Sequence, residues 1–374
     1  MTTQTVTGRL VLDDRVAPGR LTIDDGLIAS VDVDVAGVPP DAPYIAPGLV
    51  DVHVHGWGGH DAMGDAAALD GMARALLRRG VTSFLPTAVT APLDDLAVFA
   101  DRVRSWMPGA PGDGAEPLGF NLEGPFLAHA RRGAHDETQL RAPADVPPRT
   151  IEALSDGLRL LTVAPELAGA TDLIGALTRA GVAVSLGHSA ALVEEARQAF
   201  AAGATSTTHL FNAMSGFEHR SPGLAVAALL DDAAYVELIA DGIHVHPALW
   251  ELITRLKPTD RLLLVSDAVP LAGTGDGRGR IGSLPVDVEG WRCTVVGTDT
   301  LAGSVIALDT AVRNVVKAGI PLPAAVAAAS RNPLALLGIT DRGRIALGQR
   351  ADLIELEDGL AVRRVMRAGA FLEA

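Results

Sequence analysis

Two histidines stand two apart in Val52-His53-Val54-His55, and in an extended strand that spacing sends both imidazoles to one face. Four more candidate ligands each close a short apolar run: Glu123 in Asn-Leu-Glu-Gly, His188 in Leu-Gly-His-Ser, His209 in Thr-Thr-His-Leu and Asp267 in Val-Ser-Asp-Ala. Taken singly, each has a plain structural alternative. Glu123 could neutralise an arginine, His188 could be a hydrogen-bonded core histidine, and Asp267 could cap a turn. It is the set of six at strand ends that points to chemistry. Imidazole nitrogen and carboxylate oxygen suit divalent zinc, iron, manganese or cobalt without choosing among them, and zinc is placed first. Glu123, His188 and His209 complete one site with a position open to water. His53, His55 and Asp267 could hold a second ion with Glu123 shared, so one or two metals per protomer are expected. Metal binding brings the pKa of water towards neutrality, and Asp267 can take its proton and deliver it to a leaving group. That is hydrolytic chemistry.

Such a site needs a scaffold that brings strand ends together. From Tyr44 onward, short apolar runs alternate with helical periodicity about eight times, the signature of consecutive βα units. The strands are predicted near 48–55, 81–88, 117–123, 158–164, 182–187, 204–209, 234–240 and 262–267. Predicted helices include Ala66 to Arg79, Leu93 to Trp106, Leu192 to Ala202 and Val305 to Ala318, with a further helix over the Ala-rich stretch 324–329. The fold class is α/β, a closed (β/α)8 TIM barrel, whose active sites lie at the C-terminal ends of the strands. A doubly wound sheet would want a Gly-rich phosphate loop after its first strand, and Gly56-Trp57-Gly58-Gly59 does not match that spacing.

Residues before the barrel alternate apolar and polar in short pieces and read as a small antiparallel sheet. The tail returns to the same pattern in Gly343 to Ile345 and Ala351 to Glu355. Both termini are therefore expected to form one small β-sandwich domain, 1–47 plus 339–374, into which the catalytic barrel, 48–338, is inserted.

Composition bounds the partners. The 374 residues carry 45 Asp and Glu against 31 Lys and Arg, a formal charge of -14, which opposes phosphate-backbone binding. The opening residues lack a signal-peptide pattern and no apolar run approaches a membrane span, so neither nucleic acid nor membrane is expected and a cytoplasmic location is. The single cysteine, Cys293, can form neither an internal disulfide nor a zinc-thiolate cluster.

With these residues in place the chain resembles the N-acetylglucosamine-6-phosphate deacetylases of the amidohydrolase superfamily. The resemblance spans nearly the whole chain. It rests on Pro47-Gly48-Leu49-Val50-Asp51-Val52-His53-Val54-His55-Gly56, Glu123-Gly124-Pro125-Phe126, Gly187-His188-Ser189, His209-Leu210-Phe211-Asn212-Ala213-Met214, Asp241-Gly242-Ile243-His244, Ser266-Asp267-Ala268 and Leu301-Ala302-Gly303-Ser304. It implies metal-dependent hydrolysis of the acetamide of N-acetylglucosamine 6-phosphate to glucosamine 6-phosphate and acetate. Asp267 is then the general base and acid, and His135, in Arg132-Gly133-Ala134-His135, orients or polarises the acetamide carbonyl. Asn212, the Ala213 amide, Arg220, His244 and Leu301 are the implied substrate contacts, some across a homodimer interface. Family members differ in whether they keep the first His-x-His, and this chain keeps both histidines.

Rival readings make separate demands. A cyclic amidohydrolase bridges two metals with a carboxylated lysine, but the two lysines, Lys257 and Lys317, fall at a helix end and within a helix. A deacetylase of the galactosamine epimer would use the same metal chemistry. A non-catalytic scaffold would have lost ligands, and none is missing. His60, His129, His219 and His246 are expected to be loop residues rather than ligands. Segments 127–147 and 271–303 are long enough to act as lids or hairpins.

Overall fold

The computed structural model describes residues 3–372. At the N-terminus β1 (Gln4–Val11), β2 (Val16–Asp24) and β3 (Leu27–Val33) form an antiparallel meander. The next strand, β4 (Tyr44–Pro47), pairs parallel to β1, so this sheet is mixed rather than wholly antiparallel.

The barrel strands follow. They are β5 (Leu49–Val54), β6 (Val81–Val89), β7 (Phe120–Glu123), β8 (Leu158–Val163), β9 (Ala183–Leu186), β10 (Ser206–Thr207), β11 (Tyr235–Ile239) and β12 (Leu262–Val265). Every neighbouring pair from β5 to β12 is parallel and in chain order, giving a nearly closed eight-stranded barrel. At the mouth the first and last strands are joined by Asp267 N–H donating to the His53 carbonyl at 2.9 Å. The strands are almost wholly buried because helices cover the outside while side chains fill the inside.

Between strands run α1 (Ala66–Leu77), α2 (Leu93–Trp106), α3 (Pro148–Ser155), α4 (Ala170–Arg179), α5 (Val193–Ala202), α6 (Leu224–Leu230) and α7 (Pro247–Leu256). The sequence dictates their ends locally. Asp65 caps α1 by accepting from Ala68 N–H at 2.9 Å, and Gly203 ends α5 with a left-handed φ of 118°. After the last barrel strand, segment 271–303 forms a three-stranded antiparallel sheet, β13 (Gly277–Ile281), β14 (Leu284–Glu289) and β15 (Arg292–Val295). Then come α8 (Leu308–Lys317), α9 (Leu322–Ala328) and α10 (Arg331–Leu336).

The tail supplies β16 (Leu353–Leu356), β17 (Val362–Arg367) and β18 (Ala370–Leu372), and β16 pairs antiparallel with β4. Both termini thus share one seven-stranded sheet over a small core of its own, in which Leu10, Leu21 and Ile45 meet Leu353 and Met366. Two sequence expectations shift. Gly343 to Ile345 forms bends, with Gly343 at φ 90° packed where a Cβ would strike Leu334. The sixth barrel strand spans two residues rather than 204–209, because the backbone turns left-handed at His209, φ 29°.

Lys257 follows α7, and its ammonium donates to the carbonyls of Ala228 and Asp231 at the end of α6. Burial pushes its pKa down to about 8. An unfolded lysine titrates near 10.4, so the unfolded chain binds more protons between the two values, and stability rises with pH across that window. Urea melts at about pH 7 and about pH 10 should therefore show wild type gaining on Lys257→Met at the higher pH. An equal difference at both pH values would contradict this placement. No helix among the described residues is long and apolar enough to cross a membrane.

Candidate active site

The barrel mouth collects the predicted ligands around one carboxylate. Glu123, last residue of β7, has Oε1 2.8 Å from His209 Nε2 and 3.0 Å from His188 Nε2, with His53 Nε2 at 3.5 Å. Its Oε2 faces His55 Nε2 and His135 Nε2, each at 3.2 Å. Asp267 Oδ1 lies 3.2 Å from His55 Nε2 and 3.6 Å from His53 Nε2. All are buried. His188, His209 and Asp267 each have a left-handed backbone, at φ 47°, 29° and 49°, where non-glycine residues are uncommon. These turns swing the side chains out of the strand plane and over the mouth, and such strain persists only where surrounding contacts hold it.

Hydrogen bonds on the far side of each ring decide what its inner nitrogen can do. His55 Nδ1 meets the Thr87 carbonyl at 3.1 Å and His188 Nδ1 meets the Arg131 carbonyl at 2.9 Å. A carbonyl only accepts, so both rings carry a proton on Nδ1, and Nε2 is the inward atom that would offer a lone pair to a cation. His53 Nδ1 likewise faces Glu237 Oε2 at 3.0 Å. His135 is the reverse. Thr90 Oγ1 lies 3.0 Å from His135 Nδ1, and Thr90 N–H, which can only donate, points at the same nitrogen at 3.3 Å. With the Glu123 carboxylate 3.2 Å from Nε2, the ring proton belongs on Nε2 and makes that atom a donor into the cavity.

The inner nitrogens then crowd one another, with His188 Nε2 3.0 Å from His209 Nε2 and His53 Nε2 3.3 Å from His55 Nε2. Imidazole nitrogens turned inward around a shared carboxylate are a donor set that fits divalent cations. His53, His55, Glu123 and Asp267 bring ligand atoms within 4.8 Å of one another, as do Glu123, His135 and His188. Of the second group His135 is the poor ligand, because its inner nitrogen holds the proton.

The electrostatics agree with a site that wants positive charge. Burial opposes ionisation of Glu123, but charge on His53 and hydrogen bonding from His135 outweigh it and hold the carboxyl well below its ordinary range. Burial likewise opposes charge on His55, yet hydrogen bonds with Asp267 and Glu123 raise it to about 9. His188 goes the other way, to about 4, through burial and the neighbouring His135.

A cavity of about 330 Å³ opens above this cluster, within the size of small-molecule sites. Asn212, Ala213, His244 and Leu301 line it with His55, Glu123, His135, His188, His209 and Asp267. His244 is oriented by Asp241, whose Oδ2 lies 2.6 Å from its Nδ1. His53 belongs to the cluster but is fully buried at its base, and only Arg220 lies elsewhere, exposed on the loop before α6 and outside the cavity of its own chain. His129, His219 and His246 are exposed, His60 is half-buried, and none lines the cavity.

Sequence reasoning missed the supports. Glu237, fully buried on β11, holds His53 Nδ1 and also accepts from His209 N–H at 3.0 Å, so one carboxylate braces both halves of the cluster. Asp51 accepts from the His53 and Ser266 amides, each at 3.3 Å, and burial raises its pKa to about 6. The available signal was an acidic residue inside an otherwise apolar strand, where an unpaired charge is costly.

The chain matches the Amidohydrolase family over residues 44–372. The chain belongs to the amidohydrolase family. This amidohydrolase is 39% identical to N-acetylglucosamine-6-phosphate deacetylase of Bos taurus, covering 97% of this chain and 90% of the relative. It is also 39% identical to N-acetylgalactosamine-6-phosphate deacetylase of Escherichia coli O157:H7, covering 96% and 94% respectively. Among solved structures, it superposes on an aspartate-to-alanine mutant of N-acetyl-D-glucosamine-6-phosphate deacetylase from Mycobacterium smegmatis in complex with N-acetyl-D-glucosamine 6-phosphate. That match has a TM-score of 0.89 and 36% identity, covering 100% of both chains.

Proposed function

We propose that this amidohydrolase removes the acetyl group of N-acetylglucosamine 6-phosphate, giving glucosamine 6-phosphate and acetate. The carrying observation is the pairing of opposite roles in one cavity: a carboxylate acceptor, Asp267, and a proton-bearing donor, His135 Nε2, around one set of inward lone pairs. The substrate comes from the similarity to the deacetylases. Glu123, His188 and His209 would hold one divalent ion, zinc in this reading, and His53 and His55 a second with Glu123 shared, although the nitrogen and oxygen donors suit iron, manganese or cobalt as well. When bound, such an ion supplies Lewis acidity, polarising the carbonyl and acidifying water.

In this reading His135 donates to the acetamide oxygen as negative charge builds on it. Asp267 takes a proton from the attacking water, then passes it to the amide nitrogen as the C–N bond breaks, so the amine leaves neutral. Asn212, the Ala213 amide, His244 and Leu301 would position the sugar. Arg220 is exposed and does not line its own cavity, and a homodimer in which Arg220 reaches the partner's phosphate accounts for that place. Arginine suits that task because its planar fork matches phosphate oxygens. A cytoplasmic location fits a phosphorylated substrate of this kind.

Acetate release by metal-loaded protein tests the reading. N-acetylglucosamine 6-phosphate should exceed unphosphorylated N-acetylglucosamine in kcat/KM by about 100-fold or more, the worth of two charge-assisted hydrogen bonds to phosphate. N-acetylgalactosamine 6-phosphate, run beside it, should be the poorer substrate. Equal turnover of the unphosphorylated sugar would remove the phosphate pocket from the proposal.

A further inference from the structure

A second cleft, of about 570 Å³, is larger than the active-site cavity and lies apart from it. Its walls are the end of α1, the first turn of α8, Trp57 from the loop after β5, and Trp291 at the β14–β15 turn. Arg79 and Arg313 converge there on one point. Arg79 Nη2 donates to Thr310 Oγ1 at 3.2 Å, and Arg313 Nη2 donates to the same oxygen at 2.8 Å. Beneath them sits Asp309, its side chain 4% exposed, which accepts from Arg79 Nε and Nη2 at 2.9–3.0 Å. A buried carboxylate thus restrains the two guanidiniums from behind while they stay 37% and 30% exposed in front.

The charge does not cancel. Arg78, Arg79 and Arg313 against Asp309 leave a local charge of +2, in a chain whose formal charge is -14. No acidic side chain lines the cleft among the described residues. Above this basic floor stands Trp291, 65% exposed, a large apolar face left in water next to cations. Arginine forks select phosphate oxygens and an open indole face selects a flat ring.

We propose that this cleft binds a phosphorylated compound bearing a planar ring, of the nucleoside monophosphate class, as a site separate from catalysis. Trp57 follows the candidate ligand His55 by two residues, and Gly58 N–H is tied to the Ala272 carbonyl at 2.8 Å. A molecule held between Trp57 and α8 therefore rests on the loop that follows His55.

The test is isothermal titration of the metal-loaded protein with adenosine 5′-monophosphate, in saturating glucosamine 6-phosphate so that the active site is filled. One site per chain is expected with a Kd below about 1 mM, and adenosine and inorganic phosphate should each bind at least about tenfold more weakly. Arg78→Ala and Trp291→Ala, both at exposed positions, should each weaken binding by about tenfold while acetate release without nucleotide stays within about twofold of wild type. Absence of saturable heat, adenosine binding as tightly as its monophosphate, or unchanged affinity in both variants would each overturn the proposal. Filling the active site with glucosamine 6-phosphate rests on the proposed function, but both variants lie outside the active-site cavity, so their effect on nucleotide affinity separates failure of this site from failure of that reading.

Discussion

Asp267→Asn should lower kcat for acetate release by about 10³-fold, within the range that a positioned general acid–base contributes. Asparagine keeps the size of the side chain and one acceptor oxygen, but it cannot take a proton from water or return one to the amine. The backbone geometry should survive. Asp267 is held from both sides, by its own N–H on the His53 carbonyl at 2.9 Å and by Ser304 N–H on its carbonyl at 2.7 Å. Gly303, at φ 63°, packs so closely beneath it that a Cβ there would meet the Asp267 carbonyl. The loss should therefore fall on proton transfer rather than on folding. Metal analysis of the variant should still find about one divalent ion per chain, because Glu123, His188 and His209 remain. A kcat within about tenfold of wild type would move the acid–base role to another residue.

What the sequence displays is whatever repeats locally. The eight βα units show as alternating periods, and six candidate ligands fall at strand ends because a barrel places its chemistry there. All six gather within the mouth. What it hides depends on contacts between distant segments. The proton position on His135 is set by the Thr90 amide, 45 residues away, and distinguishes a carbonyl-polarising donor from a third ligand. The bracing by Glu237 joins residues 184 apart in the chain. The exposure of Arg220 is a property of the folded loop, not of its neighbours in sequence. The shortness of the sixth strand follows from one left-handed residue, His209, which no hydrophobic pattern encodes. The basic cleft between α1 and α8 is of the same kind, since Arg79 and Asp309 meet across 230 residues.

Glu123→Gln should cost more than any other single change at the mouth. Glu123 is the one residue whose two oxygens face both halves of the cluster, Oε1 towards His188 and His209 and Oε2 towards His55. Glutamine preserves shape but replaces one anionic oxygen with an N–H₂ donor, which must point at either one half or the other. In each orientation an amide hydrogen takes the place of an anionic oxygen that the inward imidazole nitrogens share with a cation. Loss of an outer-shell partner already costs about 10–100-fold in metal affinity, so loss of this shared ligand should cost at least about 100-fold. Metal content after dialysis should drop below about one ion per chain, and acetate release should fall with it by about 10³-fold or more. Glu237→Gln is the informative comparison, because it leaves every inward lone pair in place and removes only the charge behind His53. If Glu123→Gln retained full metal content and activity, the cluster would have to be held by His53, His55 and Asp267 alone, and the shared-carboxylate arrangement would be wrong.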